Sequence, residues 1–291
     1  MLYGRIIKGV GGSYFVKTGA DTYTCNAAGV FRNKKITPVI GDMCGLEVSD
    51  ECAKTGTIVE ILQRRNEIIR PRVSNIDQII IVMAADEPKL DINMLDRYLV
   101  ILANGNFDVI ICINKSDLTE ENAIVCVKER YESIGYKVIV MSAGKNEGTN
   151  RLSDVLKNKV SAFAGPSGVG KSSIVNLLSG VQIMETGTLS KKISRGKHTT
   201  RHVEFLALDE NTYVLDTPGF TSLTFDGIEA DNLQDCFYEF KQYLGKCAFR
   251  NCAHQNEPGC AVKAEVGGKI DENRYNNYLS FFSEIKNGKE R

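Results

Sequence analysis

Apolar and polar positions alternate in short runs through the first 65 residues, and glycine turns separate the runs. Alternation with a period of two, bounded by turn residues, marks half-buried strands. It predicts strands over Leu2–Lys8, Tyr14–Thr18, Thr22–Asn26, Met43–Val48 and Thr57–Leu62, with breaks at Gly9-Val10-Gly11-Gly12, Gly29 and Gly41-Asp42. Five such strands suit a small β-barrel of the OB type, whose usual ligands are oligonucleotides; a barrel with a structural role fits the strand count as well. Past Arg70-Pro71-Arg72 the texture changes. Gln78–Ala84 and Val109–Ile113 are continuous apolar runs, as expected of parallel strands buried on both faces. Met94–Ala103 between them has helical spacing, as does Ile174–Leu178, while Val138–Met141, Ser161–Ala164, Val203–Leu208 and Tyr213–Leu215 read as further strands. Strands alternating with helices predict an α/β domain with a mostly parallel sheet. From Asp226 the chain turns helical and cysteine-rich. The expected domains are therefore residues 1–70, 71–225 and 226–291.

Composition narrows the class. A chain of 291 residues, 43% hydrophobic and 25% charged, can build two or three cores. No run approaches the ~18 apolar residues of a membrane span, and the N-terminus has no signal-peptide pattern, so a soluble, cytoplasmic protein is expected. Nine cysteines without a secretory signal point to a reducing compartment, where clustered cysteines mean metal or catalysis more often than disulfides. Net charge is zero, but residues 1–72 carry 11 basic and 7 acidic side chains, a mild polyanion signal.

The chemistry concentrates after the apolar strands. Gly165-Pro166-Ser167-Gly168-Val169-Gly170-Lys171-Ser172, followed by Ser173, fits G-x-x-x-x-G-K-[ST] between a predicted strand and a predicted helix. Such glycines let backbone amides curl around phosphate oxygens at a helix N-terminus; Lys171 would reach the β/γ-phosphates and Ser172 would ligate Mg²⁺. Base identity comes from Asn114-Lys115-Ser116-Asp117, directly after Val109–Ile113. A carboxylate at Asp117 can accept both hydrogens of guanine N1 and N2, which adenine does not offer, and the mismatched base would leave it unpaired. Asn114 can bond the base edge, Lys115 can lie along the ring and brace the loop, and Ser142-Ala143 can give a backbone amide to guanine O6. Asp216-Thr217-Pro218-Gly219 follows another strand: Asp216 would hold Mg²⁺ through water, and the Gly219 amide would sense the γ-phosphate. Between loop and aspartate lies Lys191–Arg201, polar and basic, suited to a switch segment or to RNA contact. Thr200, or alternatively Thr199, would complete the Mg²⁺ shell.

Cys247-x4-Cys252-x-His254-x5-Cys260 is a closed Cys₃His set, the stoichiometry of structural zinc rather than of an open catalytic site. So small a domain needs such a staple. Cys25, Cys44, Cys52, Cys112, Cys126 and Cys236 read most simply as small buried hydrophobes. Tyr275, Tyr278, Phe282 and Ile285 form an apolar stripe at helical spacing, expected to pack on its own domain, with rRNA stacking the lesser alternative.

In an ordinary Ras-like GTPase the phosphate loop precedes the Asn-Lys-x-Asp motif; here Asn114 comes first and Asp216 last. A sheet tolerates such reconnection because termini often lie close together. With this order, the Gly165–Ser173 loop and Arg195-Gly196-Lys197-His198-Thr199-Thr200, the chain resembles the RsgA (YjeQ) family of circularly permuted, ribosome-dependent bacterial GTPases over essentially its whole length. The resemblance implies an OB barrel, a permuted GTPase domain and a C-terminal zinc domain. It also implies a late role in maturation of the small (30S) ribosomal subunit, with binding to 16S rRNA near the decoding region, departure after hydrolysis, and a monomer that cycles between GTP and GDP. Phe220 stands where Ras-type enzymes carry the water-orienting glutamine, so slow unassisted turnover is predicted, on the order of 10⁻⁴ s⁻¹. His198, another switch residue or rRNA must then supply the missing group; His198 has the chemistry for it, and in the family's proposed mechanism it plays that part, while a loop histidine contacting rRNA or phosphate is the other reading. Two rivals stand beside the switch GTPase: a P-loop kinase or ATPase with Asn114–Asp117 a coincidence, and an RNA-binding module whose nucleotide site is degenerate.

Overall fold

The computed structural model describes residues 1–33, 35–69, 71–180, 204–216 and 224–288, with the side chain of Asp216 excepted. Five strands build the N-terminal part: β1 (Leu2–Val10), β2 (Ser13–Thr18), β3 (Asp21–Ala27), β4 (Met43–Asp50) and β5 (Thr55–Ile61), with a short helix α1 (Val30–Asn33) between β3 and β4. Their order is β1-β2-β3-β5-β4, and β4 pairs back onto β1, closing a five-stranded barrel. Closure removes the free edges that five short strands would otherwise expose. Inward positions Ile6, Val16, Tyr23, Cys25, Cys44, Leu46 and Ile58 fill it, together with Phe31 of α1. Strand β1 runs through Gly9 and Val10, which the glycine cluster had marked as a break.

A two-stranded ribbon, β6 (Glu67–Ile68) and β7 (Val73–Ser74), leads out of the barrel. Then come β8 (Gln78–Ala84), α2 (Ile92–Leu102), β9 (Asp108–Asn114), α3 (Glu121–Ser133), β10 (Lys137–Val140), α4 (Thr149–Leu156), β11 (Val160–Ala164), α5 (Lys171–Ser179), β12 (Glu204–Ala207) and β13 (Tyr213–Asp216). The order of these strands is β10-β9-β8-β11-β13-β12, parallel except for the antiparallel β12. All seven residues of β8 are buried, and they alternate between two cores. Ile79, Ile81 and Met83 face α2 and α3; Ile80, Val82 and Ala84 face α4 and α5. Each fully buried Ile or Met is worth about 1.5–3 kcal/mol, so both helical layers are held strongly to this strand. Helices α3 and α4, which the apolar pattern left unmarked, complete the two layers. The barrel joins this sheet where Lys8 of β1 pairs with Glu204 of β12.

After residue 224, 3₁₀ turns over Ala230–Cys236 and Tyr238–Phe240 lead to a long helix α6 (Glu272–Gly288). Tyr275, Tyr278, Phe282 and Ile285 are buried in one aromatic cluster with Phe237 and Phe240, so the stripe is core. No helix among the described residues is long and apolar enough to cross a membrane.

Candidate functional site

Strand order reverses between β8 and β11, the usual place for a crevice at the carboxyl ends of a doubly wound sheet. Four of the strand ends there carry residues singled out from the sequence. The loop Gly165–Gly170 follows β11, Asn114 ends β9, Ser142 and Ala143 follow β10, and Asp216 ends β13. The phosphate loop curls because three of its glycines have positive φ: 129° at Gly165, 82° at Gly168 and 97° at Gly170. A Cβ at Gly165 would stand 2.1 Å from the Val82 carbonyl oxygen, and one at Gly170 would stand 2.3 Å from Asn114 Nδ2. Pro166 is half-buried, Ser167 and Gly168 are exposed, and Val169 is buried among the residues under the sheet. Lys171, Ser172 and Ser173 form the first turn of α5. Lys171 Nζ donates to the carbonyls of Gly165 (2.7 Å) and Pro166 (2.6 Å), across the mouth of the loop. Burial lowers its pKa to about 8.

Three motifs distant in sequence are tied together by Asn114, which is 1% exposed. Its Nδ2 donates to the Val169 carbonyl at 2.8 Å, and its Oδ1 accepts the Ala143 amide at 3.0 Å. Asn114, given to the base edge by the sequence reading, also fastens the phosphate loop to the Ser142-Ala143 turn. Of the two amides that Ser142-Ala143 could offer guanine O6, that of Ala143 is engaged by Asn114. Asp117 is exposed and accepts the Ser142 hydroxyl at 2.5 Å, which holds its carboxyl below the usual range. Lys115, at φ 58°, donates to the Glu87 carbonyl and so braces the loop after β8. The Ser116 amide bonds Met141 O at 3.2 Å. The segment after β8 was not legible as part of this site, yet a Cβ added at Gly168 would stand 3.7 Å from Pro88 Cδ. His198, Thr199, Thr200, Thr217, Pro218, Gly219 and Phe220 lie outside the described residues, as does the Asp216 carboxylate.

The second cluster lies in the C-terminal part. Donor atoms of Cys247, Cys252, His254 and Cys260 all lie within 4.8 Å of one another. Tetrahedral zinc with Zn–S near 2.3 Å needs sulfur atoms about 3.8 Å apart, so the set fits the ion. His254 Nδ1 lies 3.6 Å from Cys247 Sγ and 3.3 Å from Cys260 Sγ, while Nε2 faces Gln234 Oε1 at 2.6 Å. Nδ1 is therefore the metal-facing nitrogen, and Gln234 holds the ring in that tautomer, the usual outer partner of a ligating imidazole. The Ala261 and Lys263 amides point at Cys247 Sγ and Cys260 Sγ, both at 3.3 Å, which favours thiolates. Burial lowers the His254 pKa, keeping the imidazole neutral as a ligand requires. Of the remaining cysteines, Cys25, Cys44, Cys112 and Cys236 are buried as expected, but Cys52 and Cys126 are exposed: Cys52 lies in the β4–β5 turn and Cys126 on the outer face of α3.

Residues 61–226 match the RsgA GTPase family, and residues 3–58 match the RsgA N-terminal domain. The chain is 42% identical over 287 residues to the small ribosomal subunit biogenesis GTPase RsgA of Alkaliphilus metalliredigens, with 98% of each chain covered. It is 44% identical over 289 residues to the protein of the same name from Ruminiclostridium cellulolyticum, covering 98% of this chain and 94% of that one. Among solved structures, YloQ, a circularly permuted GTPase, is 35% identical with a TM-score of 0.84, covering 100% of this chain and 97% of its own. YjeQ from Thermotoga maritima is 32% identical with a TM-score of 0.83 and 98% of both chains covered. With its nucleotide motifs gathered at one end of a reconnected sheet, the chain belongs to the RsgA GTPase family and is a GTP hydrolase.

Proposed function

We propose that this chain is a GTP-driven switch in late assembly of the small ribosomal subunit, binding 16S rRNA and leaving after hydrolysis. The observation that carries the nucleotide reading is the pair of Asn114 bonds, to Val169 O and from Ala143 N, which bring three GTPase motifs to one crevice. All three come from one chain, so a monomer is complete. In this reading Gly165–Ser173 cradles the phosphates, Asn114, Lys115, Ser116, Asp117, Ser142 and Ala143 surround guanine, and Gly219 senses the γ-phosphate. Ser172, Thr200 and, through water, Asp216 would hold Mg²⁺, whose oxygen-ligand preference they match; when bound, the ion neutralises charge between the β- and γ-phosphates. Lys171 exchanges its loop carbonyls for phosphate oxygens, recovering a full charge partner. His198 would orient the attacking water. Zinc at Cys247, Cys252, His254 and Cys260 is structural.

The assembly role is supported by the relatives' name, small ribosomal subunit biogenesis GTPase, at about 42% identity over the full length and by the closed barrel, a shape that binds oligonucleotides elsewhere. Barrel, GTPase part and zinc part, bounded near residues 70 and 225, would together grip the cytoplasmic subunit, with the chain after Asp216 passing nucleotide state to residues 226–291. Asp117→Asn tests the guanine assignment. An amide there offers a donor where guanine offers one too, so GTP affinity should fall at least about 100-fold while xanthosine triphosphate gains. Unchanged GTP affinity, or equal competition by ATP against the unsubstituted chain, would return the P-loop ATPase reading.

A further inference from the structure

Two successive residues of β1 leave the barrel on its outer side. Val16 of β2 points into the barrel core, so its neighbour Phe15 faces outward, and cross-strand partners share a face. The pairing runs Ile6 with Val16 and then Lys8 with Phe15, which makes Ile7 the extra residue of a β-bulge. Ile6 fills the barrel, whereas Ile7 packs against the other core, to which Phe205 of β12 and Tyr213 and Leu215 of β13 belong. Lys8, outward as well, pairs with Glu204 in the sheet and forms an ion pair with it. The Arg5 guanidinium lies 5.9 Å from the Tyr213 ring centroid and donates to the Gly41 carbonyl at 3.2 Å. Two side chains of β1 thus meet β12 and β13, and a third enters the core those strands share.

In the antiparallel pair of β12 and β13, Glu204 stands opposite Asp216, Phe205 opposite Leu215 and Leu206 opposite Val214. Lys8, Glu204 and Asp216 therefore form one row across three strands, at the crevice end where Asp216 closes β13. Glu204 is also the first residue of β12, and the basic segment Lys191–Arg201 leads into it. Thr217-Pro218-Gly219 follows directly after Asp216. Both nucleotide-sensing segments of the sequence thus join the sheet at a single row of backbone, and the barrel holds the outer end of that row. Strand β12 has four residues and lies between β13 and β1. Without β1 it would be a short edge strand, the kind of ladder that opens most easily.

We propose that the barrel clamps this row: Lys8 is a positioning residue for Asp216, acting through Glu204, while Ile7 fixes β1 against the GTPase core. The proposal rests on the reading of Asp216 as a water-mediated partner of magnesium at the GTP site. Magnesium demands near-ideal octahedral geometry, so a strand end held in one place favours its binding. Coupling of this kind is reciprocal: magnesium and nucleotide must tighten β1 on β12 by the factor with which that contact tightens their binding. A partner that grips the barrel through β1 then acts on the nucleotide site without touching it.

The test is a charge swap read by GDP affinity, in excess Mg²⁺ and in a chelator, with melting temperature confirming a folded chain. The Lys8 and Glu204 side chains are 39% and 38% exposed, and an ion pair so placed adds little to stability, so the variants should fold. Lys8→Glu and Glu204→Lys each set like charges opposite one another across β1 and β12. Each should weaken GDP binding about three- to tenfold in Mg²⁺ and leave it unchanged in chelator, and the double variant should recover to within about twofold. Single variants that bind like the unsubstituted chain, or that lose equally with and without Mg²⁺, overturn the proposal, as do losses that multiply in the double variant. Hydrogen exchange in the unsubstituted chain gives an independent reading. The amides of β1 should exchange more slowly with Mg²⁺ and GDP than without, and the difference should vanish in Lys8→Glu; equal exchange overturns the clamp. GDP affinity indifferent to Mg²⁺ in the unsubstituted chain would bring down the magnesium reading of Asp216, and the clamp with it. Failure to bind GDP at all would bring down the nucleotide site itself.

Discussion

At the residue scale, Gly170 separates backbone strain from function. It has φ 97°, and a Cβ there would stand 2.3 Å from Asn114 Nδ2. Gly180, at the other end of α5, has φ 66° with nothing within 4 Å of the added carbon. Both Gly→Ala changes should cost stability, on the order of 1–3 kcal/mol from strain, but only Gly170→Ala should also lose GDP binding, because it pushes away the side chain that ties Val169 to Ala143. Equal GDP affinity in the two variants would remove Asn114 from its fastening role. Lys171 gives a pH dependence of definite sign. Its pKa is about 8 in the nucleotide-free chain because burial disfavours the charge, and phosphate must raise it. Binding therefore takes up a proton above that pH, and affinity falls as pH rises. Between about pH 7 and about pH 8.5, a range in which guanine N1 keeps its proton, GDP affinity should drop about fourfold; a flat profile would mean that Lys171 is already fully charged without nucleotide. Residue types and spacing made Lys171 and Asp117 legible from sequence. Asn114's partners were not, since they depend on which strand ends the topology brings together.

At the scale of elements, strands buried on both faces were the easiest to read: the run Gln78–Ala84 coincides with β8 because no other element so short is apolar throughout. Helix α3 escaped because its sequence buries only Ile124 and Tyr131 in thirteen residues. Eight-residue α4 buries three, too few to set a period. The cysteine cluster was fully legible, since spacing alone placed four donors that the fold then brings within 4.8 Å. The exposed Cys52 and Cys126 were not, because nothing in a single thiol tells which face of a turn or helix it takes. Their exposure makes a zinc test direct. In the native chain these two should alkylate fast; after removal of about one zinc equivalent with a chelator, Cys247, Cys252 and Cys260 should join them. The same two reactive thiols before and after chelation would contradict a metal at this cluster.

At the scale of the molecule, permutation keeps the crevice and changes what hangs from it. The barrel precedes β8, and β1 also pairs with β12, so the N-terminal part touches the strand beside β13. The C-terminal part follows β13 in the chain and packs on α2 through Asp96 and Arg97. Both flanking parts therefore contact elements that end at the nucleotide crevice, an arrangement suited to reporting its state to a large partner. The pattern of apolar runs foretold three parts and their order; it could not foretell the buried ion network that joins two of them, because Asp96 and Arg274 are 178 residues apart. The most direct measurement is GTP turnover by the purified chain, alone and with small ribosomal subunits, with ATP and large subunits as controls. Slow turnover, strongly raised by small subunits and specific for GTP, is the expected result. GTP hydrolysis indifferent to the small subunit would contradict the assembly role.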